Sequence, residues 1–386
     1  MMFAKSVVIS TLILFTAGIS CSADKKDIEP EHLTNIQSSF EFYSWLLKES
    51  DTFYDKEHGH WGQSLFGYRN MLNECFLRFD GYQLIQQTSF PEKNKISVFV
   101  DEMTAYYKQV ADTIGTGVWG IPAEVNHPEM KNKIQYEISQ GFSKNAWIYD
   151  LSGTMGSKAG MYYAHGQVFA NISRSYLRNK DTSLLPYIIN GAKWIVQKKY
   201  DYGNINYFAA AIKGLSYAYA VTDNIETKQQ ALVYLSVILG SQNTNGSFGA
   251  EHDQEAGYHG INVSCLAVAR KYLPENELPA NIDKQIEKSV DYLRELKDVA
   301  TEDRAGFVVQ AWYYISCLAD DNILPKLSAT DWKAYSEALQ ICIDKKEKIA
   351  GFKTNNNYIY QKEIQTACLI GSTVAKYYFK TASIYY

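Results

Sequence analysis

The sequence predicts an all-α fold built from about six helical hairpins. Helices with one polar face alternate along the chain with nearly apolar helices, at a spacing of roughly 45–55 residues, and the clearest pair occupies Thr227–Leu273. A helix that is apolar all round must be buried on every side, whereas an amphipathic helix lies at a surface. The alternation therefore predicts an inner ring of helices inside an outer ring, the arrangement known as an α/α toroid.

Hydrophobic periodicity assigns the helices in order. The first is Leu33–Ser50, and the later amphipathic helices, predicted to form the outer ring, are Ile96–Thr113, Ser183–Lys199, Thr227–Leu239, Lys284–Lys297 and Ala329–Lys346. The nearly apolar helices, predicted to form the inner ring, start near Ser64, Gly160, Asn204, Gly257, Gly306 and Tyr358. The stretch Gly115–Gly160 is predicted to be a long loop that includes a small β hairpin.

The links between helices differ in length according to their direction. Links from an inner to an outer helix are short, as at Arg178–Thr182. Links from an outer to an inner helix are long, and they include Gly115–Ala159, Ser241–Ala256 and Ala350–Asn357. All links of one kind lie on one face of such a ring. The long links are therefore predicted to wall a cleft at one mouth of the toroid, where loops commonly carry function.

The N-terminus carries the features of a targeting segment. A short apolar run, Ser6–Gly18, follows a basic residue and is too short to span a membrane comfortably. The small residues before Cys21 resemble a bacterial lipoprotein cleavage site. This predicts a signal peptide over residues 1–21, lipidation of Cys21, a tether over 22–32 and the toroid over 33–386. The expected location is the cell envelope, with membrane contact through the lipid anchor only; secretion without lipidation is the alternative.

Composition limits the choice of partner. The net charge is −4 and the chain has no dense basic run, so nucleic acid is not an expected partner. Thirty tyrosines and seven tryptophans indicate either bulky core packing or a cleft that stacks on sugars. The candidates for sugar stacking are Trp119, Trp147 and Tyr207. Neither a metal site nor a cofactor is predicted.

The tract Gly257–Asn262 is the sharpest local signal for chemistry. It places Tyr258 and His259 at the mouth end of an inner helix, and Asn262 lies three residues after the histidine on the same face. A helix N-terminus disfavours the imidazolium cation, so a neutral His259 is available as a base. The alternative is a histidine that caps the helix or fills the ring interior.

Two other inner helices carry candidate polar groups. Gln310 and Tyr314 are four residues apart, so both can point inward, and a tyrosine facing a polar cleft can donate or accept a proton. Arg304 heads the same helix and is a candidate for bidentate binding of a carboxylate, or else a solvated loop residue. Asn204 is a candidate to hydrogen-bond the same carboxylate, although an N-cap role explains it equally.

Two further histidines are candidates for substrate contacts. His165 lies within an inner helix, where it either reaches the bore or is a satisfied core histidine. His127 lies in the long loop and is a candidate for lining a subsite.

These features together resemble a known group of enzymes. The alternating helices, the aromatic cleft loops and the GYHGIN tract followed by QAWYY are similar to the α/α-toroid polysaccharide lyases of alginate and glucuronan type. The resemblance implies β-elimination from a uronate-containing polysaccharide or oligosaccharide. It also implies that Asn204 and Arg304 hold the carboxylate, that His259 removes the C5 proton and that Tyr314 protonates the departing O4.

Two other functions remain open from the residues alone. A glycoside hydrolase of the same fold would need opposed carboxylates, for which Glu251, Asp253 and Glu255 are the candidates. A non-catalytic glycan-binding lipoprotein would need neither base nor acid.

The stretch Ser241–Gly249 also resembles a glycine-containing turn of terpene cyclases and related toroids. The Asp-rich motif of those cyclases is absent, so the turn is interpreted as a structural element. Its glycines would supply the turn and Phe248 would plug the space between helices.

Overall fold

The computed structural model describes residues 33–51, 78–115, 119–122, 158–198, 204–296, 304–351 and 366–381, with a few short pieces between them. The predictions for Cys21 and His127 lie outside these residues. In the described part, no helix is both long and apolar enough to cross a membrane.

The predicted helices are confirmed within the described residues, and the starts predicted near Ser64 and Tyr358 lie outside them. They are α1 (Ile36–Asp51), α2 (described over residues 78–85), α3 (Lys93–Ile114), α4 (Lys158–Asn179), α5 (Leu185–Lys198), α6 (Ile205–Thr222), α7 (Ile225–Gly240), α8 (Glu251–Gln254), α9 (Ala256–Tyr272), α10 (Ile282–Glu295), α11 (Ala305–Asp320), α12 (Ala329–Asp344) and α13 (Lys346–Gly351). A C-terminal helical segment, residues 366–378, ends in a π turn over Val374–Tyr378.

The strands are two residues long and antiparallel. Strands β1 (Tyr54–Asp55) and β2 (His60–Trp61) pair with each other. Strands β3 (Ile121–Pro122), β4 (Ser143–Lys144) and β5 (Trp147–Ile148) form a sheet in the order β3-β5-β4. The hairpin predicted within the long loop is therefore present as β4–β5.

Successive inner helices pack in parallel and very closely. Gly166 of α4 faces Ala210 of α6, and further along both helices Gly214 of α6 faces Phe169 of α4. A Cβ added at Gly166 would lie 2.5 Å from the Ala210 carbonyl oxygen, so only glycine permits this approach. Helices α6 and α9, and then α9 and α11, pack side by side in the same way.

The first inner helix, α2, and the C-terminal helical segment close the ring. The Gln83 side chain of α2 donates a hydrogen bond to the Asn171 carbonyl oxygen of α4, at 2.9 Å. On its other side, α2 meets the C-terminal segment, where Gly81 lies against the Cys368 carbonyl oxygen. That segment also packs on α11. The inner ring is therefore α2, α4, α6, α9, α11 and residues 366–378, in that order.

The outer helices cover this ring. Helices α5, α7, α10 and α12 each pack on the inner helix that precedes them, and α1 packs on the C-terminal segment. In α11, every residue from Ala305 to Ala319 is buried, whereas α10 buries only Ile282, Ile286, Ser289, Val290 and Leu293. This difference confirms the inner and outer assignment made from periodicity.

The turn before α8 acts as predicted. Gly246 and Gly249 have φ angles of 92° and 62°, which favour glycine. Phe248 is fully buried. The Gln242 amide ties the turn to α10 by donating to the Gln285 carbonyl and the Ser289 hydroxyl, each at 2.8 Å. The turn therefore fixes the position of α8 and of the start of α9.

Candidate functional site

Side chains from consecutive inner helices meet at the side of the ring where these helices begin, which is the mouth. We call this group the mouth cluster, and it consists of Tyr163 on α4, Tyr207 on α6, Tyr258 on α9, Arg304 before α11, and His252 and Glu255 from the link before α9. All except His252 are half-buried, and His252 is exposed. Parallel packing places the N-termini of α4, α6, α9 and α11 on this one side, together with the link Ser241–Glu255 before α9.

Arg304 is the centre of the mouth cluster. Its guanidinium carbon lies 4.3 Å from the centroid of the Tyr258 ring, a distance typical of a cation–π contact. Its Nη1 lies 3.4 Å from Oε2 of Glu255. The backbone makes room for this arginine at Gly257, where an added Cβ would lie 2.5 Å from the Arg304 Cβ. The glycine of the GYHGIN tract therefore lets Arg304 sit beside the start of α9.

Further aromatic rings belong to the mouth cluster around Tyr258. The Tyr163 and Tyr207 ring centroids are 5.8 Å apart, and the His252 ring centroid lies 4.1 Å from that of Tyr258. Burial raises the pKa of Tyr163 well above its ordinary value, with smaller contributions from Cys265 and Tyr258. The Tyr163 hydroxyl therefore keeps its proton at neutral pH, as a proton donor must.

The short helix α8 is fixed to the start of α6. Asp253 accepts hydrogen bonds from the backbone N–H groups of Ile205 and Asn206, and the Asn206 amide donates to its Oδ1 at 3.3 Å. Burial raises the pKa of Asp253, although these hydrogen bonds favour its charged form. Asn204 is the N-cap residue of α6, yet its side chain makes no capping hydrogen bond, so the predicted N-cap role does not explain it.

A second polar group lies deeper in the ring. We call it the bore cluster, and it consists of Asp80, Arg174, Lys213 and Gln310, all buried. The Asp80 carboxylate accepts hydrogen bonds from Arg174 and Gln310, and the Lys213 Nζ lies 3.5 Å from its Oδ1. One carboxylate on α2 thereby holds side chains of α4, α6 and α11. The bore cluster is a buried ionic link among four of the six inner helices.

This arrangement corrects two predicted positions. Gln310 binds Asp80 inside the ring and does not reach the mouth. Tyr314 is 3 % exposed, and its hydroxyl lies 3.5 Å from that of Tyr217. Burial and then the Asp80 charge raise its pKa well above the ordinary value. Tyr314 is therefore a buried residue of the bore and does not meet Arg304, so the role of acid does not fit its position.

The predicted base is also sealed inside the protein. His259 is fully buried, and its Nε2 lies 3.0 Å from the Ser289 carbonyl oxygen of the outer helix α10. Its ring lies against those of Phe248 and Tyr292. Because it faces the outer ring, His259 does not meet Arg304 or Asn204. The role of base therefore does not fit, and the alternative of a histidine that fills the interior does.

His165 has the same position in another repeat. It is fully buried on α4, and its Nε2 lies 3.1 Å from the Gly191 carbonyl oxygen of the outer helix α5. Burial lowers its pKa to about 3. The prediction of a substrate contact is wrong for this residue, because its ring is enclosed between inner and outer helices.

The remaining predicted positions are buried or half-buried. Trp119 is buried and donates from its indole to the Tyr107 carbonyl oxygen at 2.9 Å, so it is a core residue rather than a sugar platform. Trp147 packs edge-on against Tyr106 of α3. Asn262 is fully buried one turn after Tyr258, and its amide makes no hydrogen bond to the described residues.

The buried histidine predicts a pH dependence of stability. Burial lowers the pKa of His259 from 6.5 to about 4, so the unfolded chain binds this proton at a higher pH than the folded protein does. The free energy of unfolding therefore falls as the pH drops from about 6.5 towards 4, by about 1.4 kcal/mol per pH unit for this group. The variant His259→Gln cannot titrate and is expected to flatten that slope by this amount in urea unfolding at several pH values. Equal slopes for the two proteins would show that His259 does not titrate as its burial requires.

Comparisons with known proteins bear on the fold alone. No family model matches the sequence, and no curated protein matches it. Among solved structures, a mutant unsaturated glucuronyl hydrolase from Streptococcus agalactiae complexed with dGlcA-GalNAc6S has a TM-score of 0.52 at 10 % identity, covering 89 % of this chain and 95 % of its own. A polysaccharide lyase has a TM-score of 0.48 at 12 % identity, covering 86 % and 97 %. The inner and outer rings described above, together with the likeness to the glucuronyl hydrolase, show that the chain is an α/α-toroid protein over most of its length, as predicted.

Proposed function

We propose that the protein is a glycan-degrading enzyme whose mouth cluster binds a uronate residue and cleaves the glycan as a lyase. The observation that carries the proposal is Arg304, a half-buried arginine that lies over the Tyr258 ring at the mouth of the ring. A guanidinium fork matches a carboxylate in bidentate geometry. The N-termini of α6, α9 and α11 add positive potential at the same place, which favours an anionic group.

The aromatic side chains favour a sugar as the group that carries this carboxylate. Tyr163, Tyr207 and Tyr258 place three half-buried aromatic rings at the mouth, and Tyr258 contacts Arg304. Such rings combine apolar contact area with a polar end, which suits a pyranose. The unsaturated glucuronyl hydrolase that shares the fold acts, as its name states, on glucuronyl groups. The proposed substrate class is therefore a uronate-containing polysaccharide or oligosaccharide.

The proposed reaction is β-elimination. Binding of the carboxylate to Arg304, with Asn204 as a second donor, stabilises the negative charge that develops when C5 loses its proton. We assign the base to Tyr258, which contacts the arginine that holds the carboxylate. Tyr258 acts as its phenolate, whose oxygen takes the proton from C5. The electron pair of the C5–H bond forms the C4–C5 double bond, and the C4–O4 bond breaks. Tyr163, whose pKa is raised by burial, donates the proton that O4 takes up.

The direct test is product analysis on a panel of acidic glycans. Incubation with alginate, glucuronan and pectin is expected to give ultraviolet absorbance from the new C4–C5 double bond. The variant Tyr258→Phe should lower kcat/KM by about 10²–10⁴-fold, because it removes one acid–base group. The matched control is Tyr219→Phe, near the opposite end of α6, which should leave the rate unchanged. A folded wild-type protein that gives no chromophore on the whole panel would contradict the lyase proposal.

A glycoside hydrolase is the second candidate, and one observation favours it. Asp253 and Glu255 place two carboxyl groups beside the mouth, and burial raises the pKa of Asp253 as a general acid requires. This function predicts new reducing ends without the chromophore, and loss of those products in Glu255→Gln. Binding of a glycan without either product would instead fit a non-catalytic glycan-binding protein.

The proposal places the enzyme in the bacterial cell envelope, because that is where the sequence before the described residues would direct it. The apolar run Ser6–Gly18 and Cys21 support a lipid anchor. Incorporation of labelled fatty acid that is lost in Cys21→Ser would support this location, and incorporation in neither protein would contradict it.

A further inference from the structure

Glu255 places a carboxylate of the protein on the arginine that we assign to the substrate. Its Oε2 lies 3.4 Å from Nη1 of Arg304, and its Oε1 lies 3.6 Å from Nδ1 of His252. The side chain therefore lies between two cationic or potentially cationic groups of the mouth cluster. A uronate carboxylate that approaches Arg304 would meet Glu255 in the same position.

We infer that Glu255 sets the affinity of the carboxylate site by competing with the substrate carboxylate for Arg304. The inference rests on the proposed function, because it takes Arg304 as the carboxylate site. A neutral sugar cannot replace the Glu255 carboxylate on the guanidinium, whereas a uronate can. Glu255 thus weakens the binding of both the uronate substrate and the uronate product.

The two partners differ in how firmly they are held. Arg304 has a side chain that is 21 % exposed and that lies against the Tyr258 ring, while the Glu255 side chain is 41 % exposed. The Glu255 backbone is fixed, since its carbonyl accepts the first hydrogen bond of α9 from the His259 N–H at 2.9 Å. Because the Glu255 side chain is exposed, it can change rotamer while its backbone stays in place. Glu255 is therefore the partner that moves when a ligand arrives, and Arg304 is the partner that stays.

His252 provides a second position for the displaced carboxylate. It is 51 % exposed, and its ring packs on Tyr258, so it lies beside the mouth without filling it. A small rotation takes the Glu255 carboxylate from Arg304 towards His252, which keeps the displaced carboxylate beside another polar group. When the uronate carboxylate replaces Glu255 on Arg304, the protein loses only the half-exposed Glu255–Arg304 ion pair, which is a weak interaction.

The test is binding of D-glucuronate, measured by calorimetry or NMR titration with the full chain. Glu255→Gln keeps the shape of the side chain and removes its charge. This variant is expected to bind D-glucuronate about two- to fivefold more tightly than the wild type, the range that corresponds to one exposed ion pair. D-Glucose, which has no carboxylate, should show no such gain. Arg304→Gln should lose the binding, and the double variant should behave like Arg304→Gln.

Glu251→Gln is the matched control, because Glu251 is an exposed carboxylate of the same link. It removes the same charge from the same part of the protein and should leave the affinity for D-glucuronate unchanged. An equal gain in affinity for D-glucuronate in both variants would mean that the change in overall charge causes the gain. This result would overturn the role of Glu255. Unchanged or weaker binding in Glu255→Gln, with binding still lost in Arg304→Gln, would overturn the competition and leave the carboxylate site intact. No binding in any of these proteins would overturn both.

Discussion

Replacement of Asp80 with alanine is expected to lower the free energy of unfolding by about 3–5 kcal/mol. The Asp80 carboxylate is buried and accepts hydrogen bonds from Arg174 and Gln310, with Lys213 at 3.5 Å. Removing it leaves two buried cations without the carboxylate that compensates them. Taking an unpaired charge out of water is far more costly than burying a well-paired one, so the loss exceeds the value of any one of these contacts.

Urea unfolding of the wild type and of Asp80→Ala measures this change. The control is Asp283→Ala, which removes a carboxylate from a partly exposed pair with Arg270 and leaves Glu275 beside the same guanidinium. The control should lose no more than about 1 kcal/mol. Similar losses in the two variants would mean that the bore cluster does not join the inner helices in the way its contacts indicate.

Replacement of Arg304 with glutamine is expected to lower kcat/KM on a uronate glycan by about 10²–10³-fold. The guanidinium is the described group best placed to hold the carboxylate while negative charge develops beside it. Arg304→Lys should recover only part of the rate, because an ammonium group is a point charge without the planar fork. The rate of double-bond formation at several substrate concentrations separates weaker binding from a slower chemical step.

The control for this variant is Lys193→Gln. Lys193 is an exposed cation on the outer helix α5, away from the mouth cluster, and its removal should leave the rate unchanged. Both variants are expected to unfold at the temperature of the wild type, because both side chains lie at the surface or half-buried. Equal rates for Arg304→Gln and the wild type would remove Arg304 from the carboxylate site.

The ring architecture could be predicted because burial leaves a periodic record in the sequence. Helix α11 is apolar on all sides and buried on all sides, while α10 carries one apolar stripe and buries one face. The predicted starts of four inner helices, at 160, 204, 257 and 306, lie within two residues of the observed ones. The lengths of the links then identify the mouth without knowledge of any side-chain position.

The candidate site could be predicted only in part. The sequence gives the position of a residue along its helix axis, but it does not give the direction in which the side chain points. Asn204, Tyr207, Tyr258 and Arg304 lie at the mouth because each is near a helix start. His259 lies only one residue beyond Tyr258 along the helix axis. Because each residue turns an α-helix by about 100°, the His259 side chain points to the outer ring. This difference in direction cannot be predicted when it is unknown which side of the helix faces the mouth.

Depth explains the other error. Tyr314 faces the bore as predicted, but it is ten residues after Arg304, which places it about 15 Å further along the helix axis. The bore cluster was not predicted, although a signal for it exists. Lys213 is a single charge in an otherwise apolar stretch of α6, and a charge that is buried on every side must have a partner. The partner, Asp80, is distant in sequence, and no local pattern connects the two.

The most direct test is a crystal structure with a bound uronate oligosaccharide, using Tyr258→Phe to slow turnover. The expected result is a sugar carboxylate on the Arg304 guanidinium, with the ring beside Tyr163 and Tyr207 and with Glu255 displaced towards His252. An oligosaccharide bound away from the mouth cluster, with Arg304 still paired to Glu255, would contradict the assignment of this end of the ring as the active site.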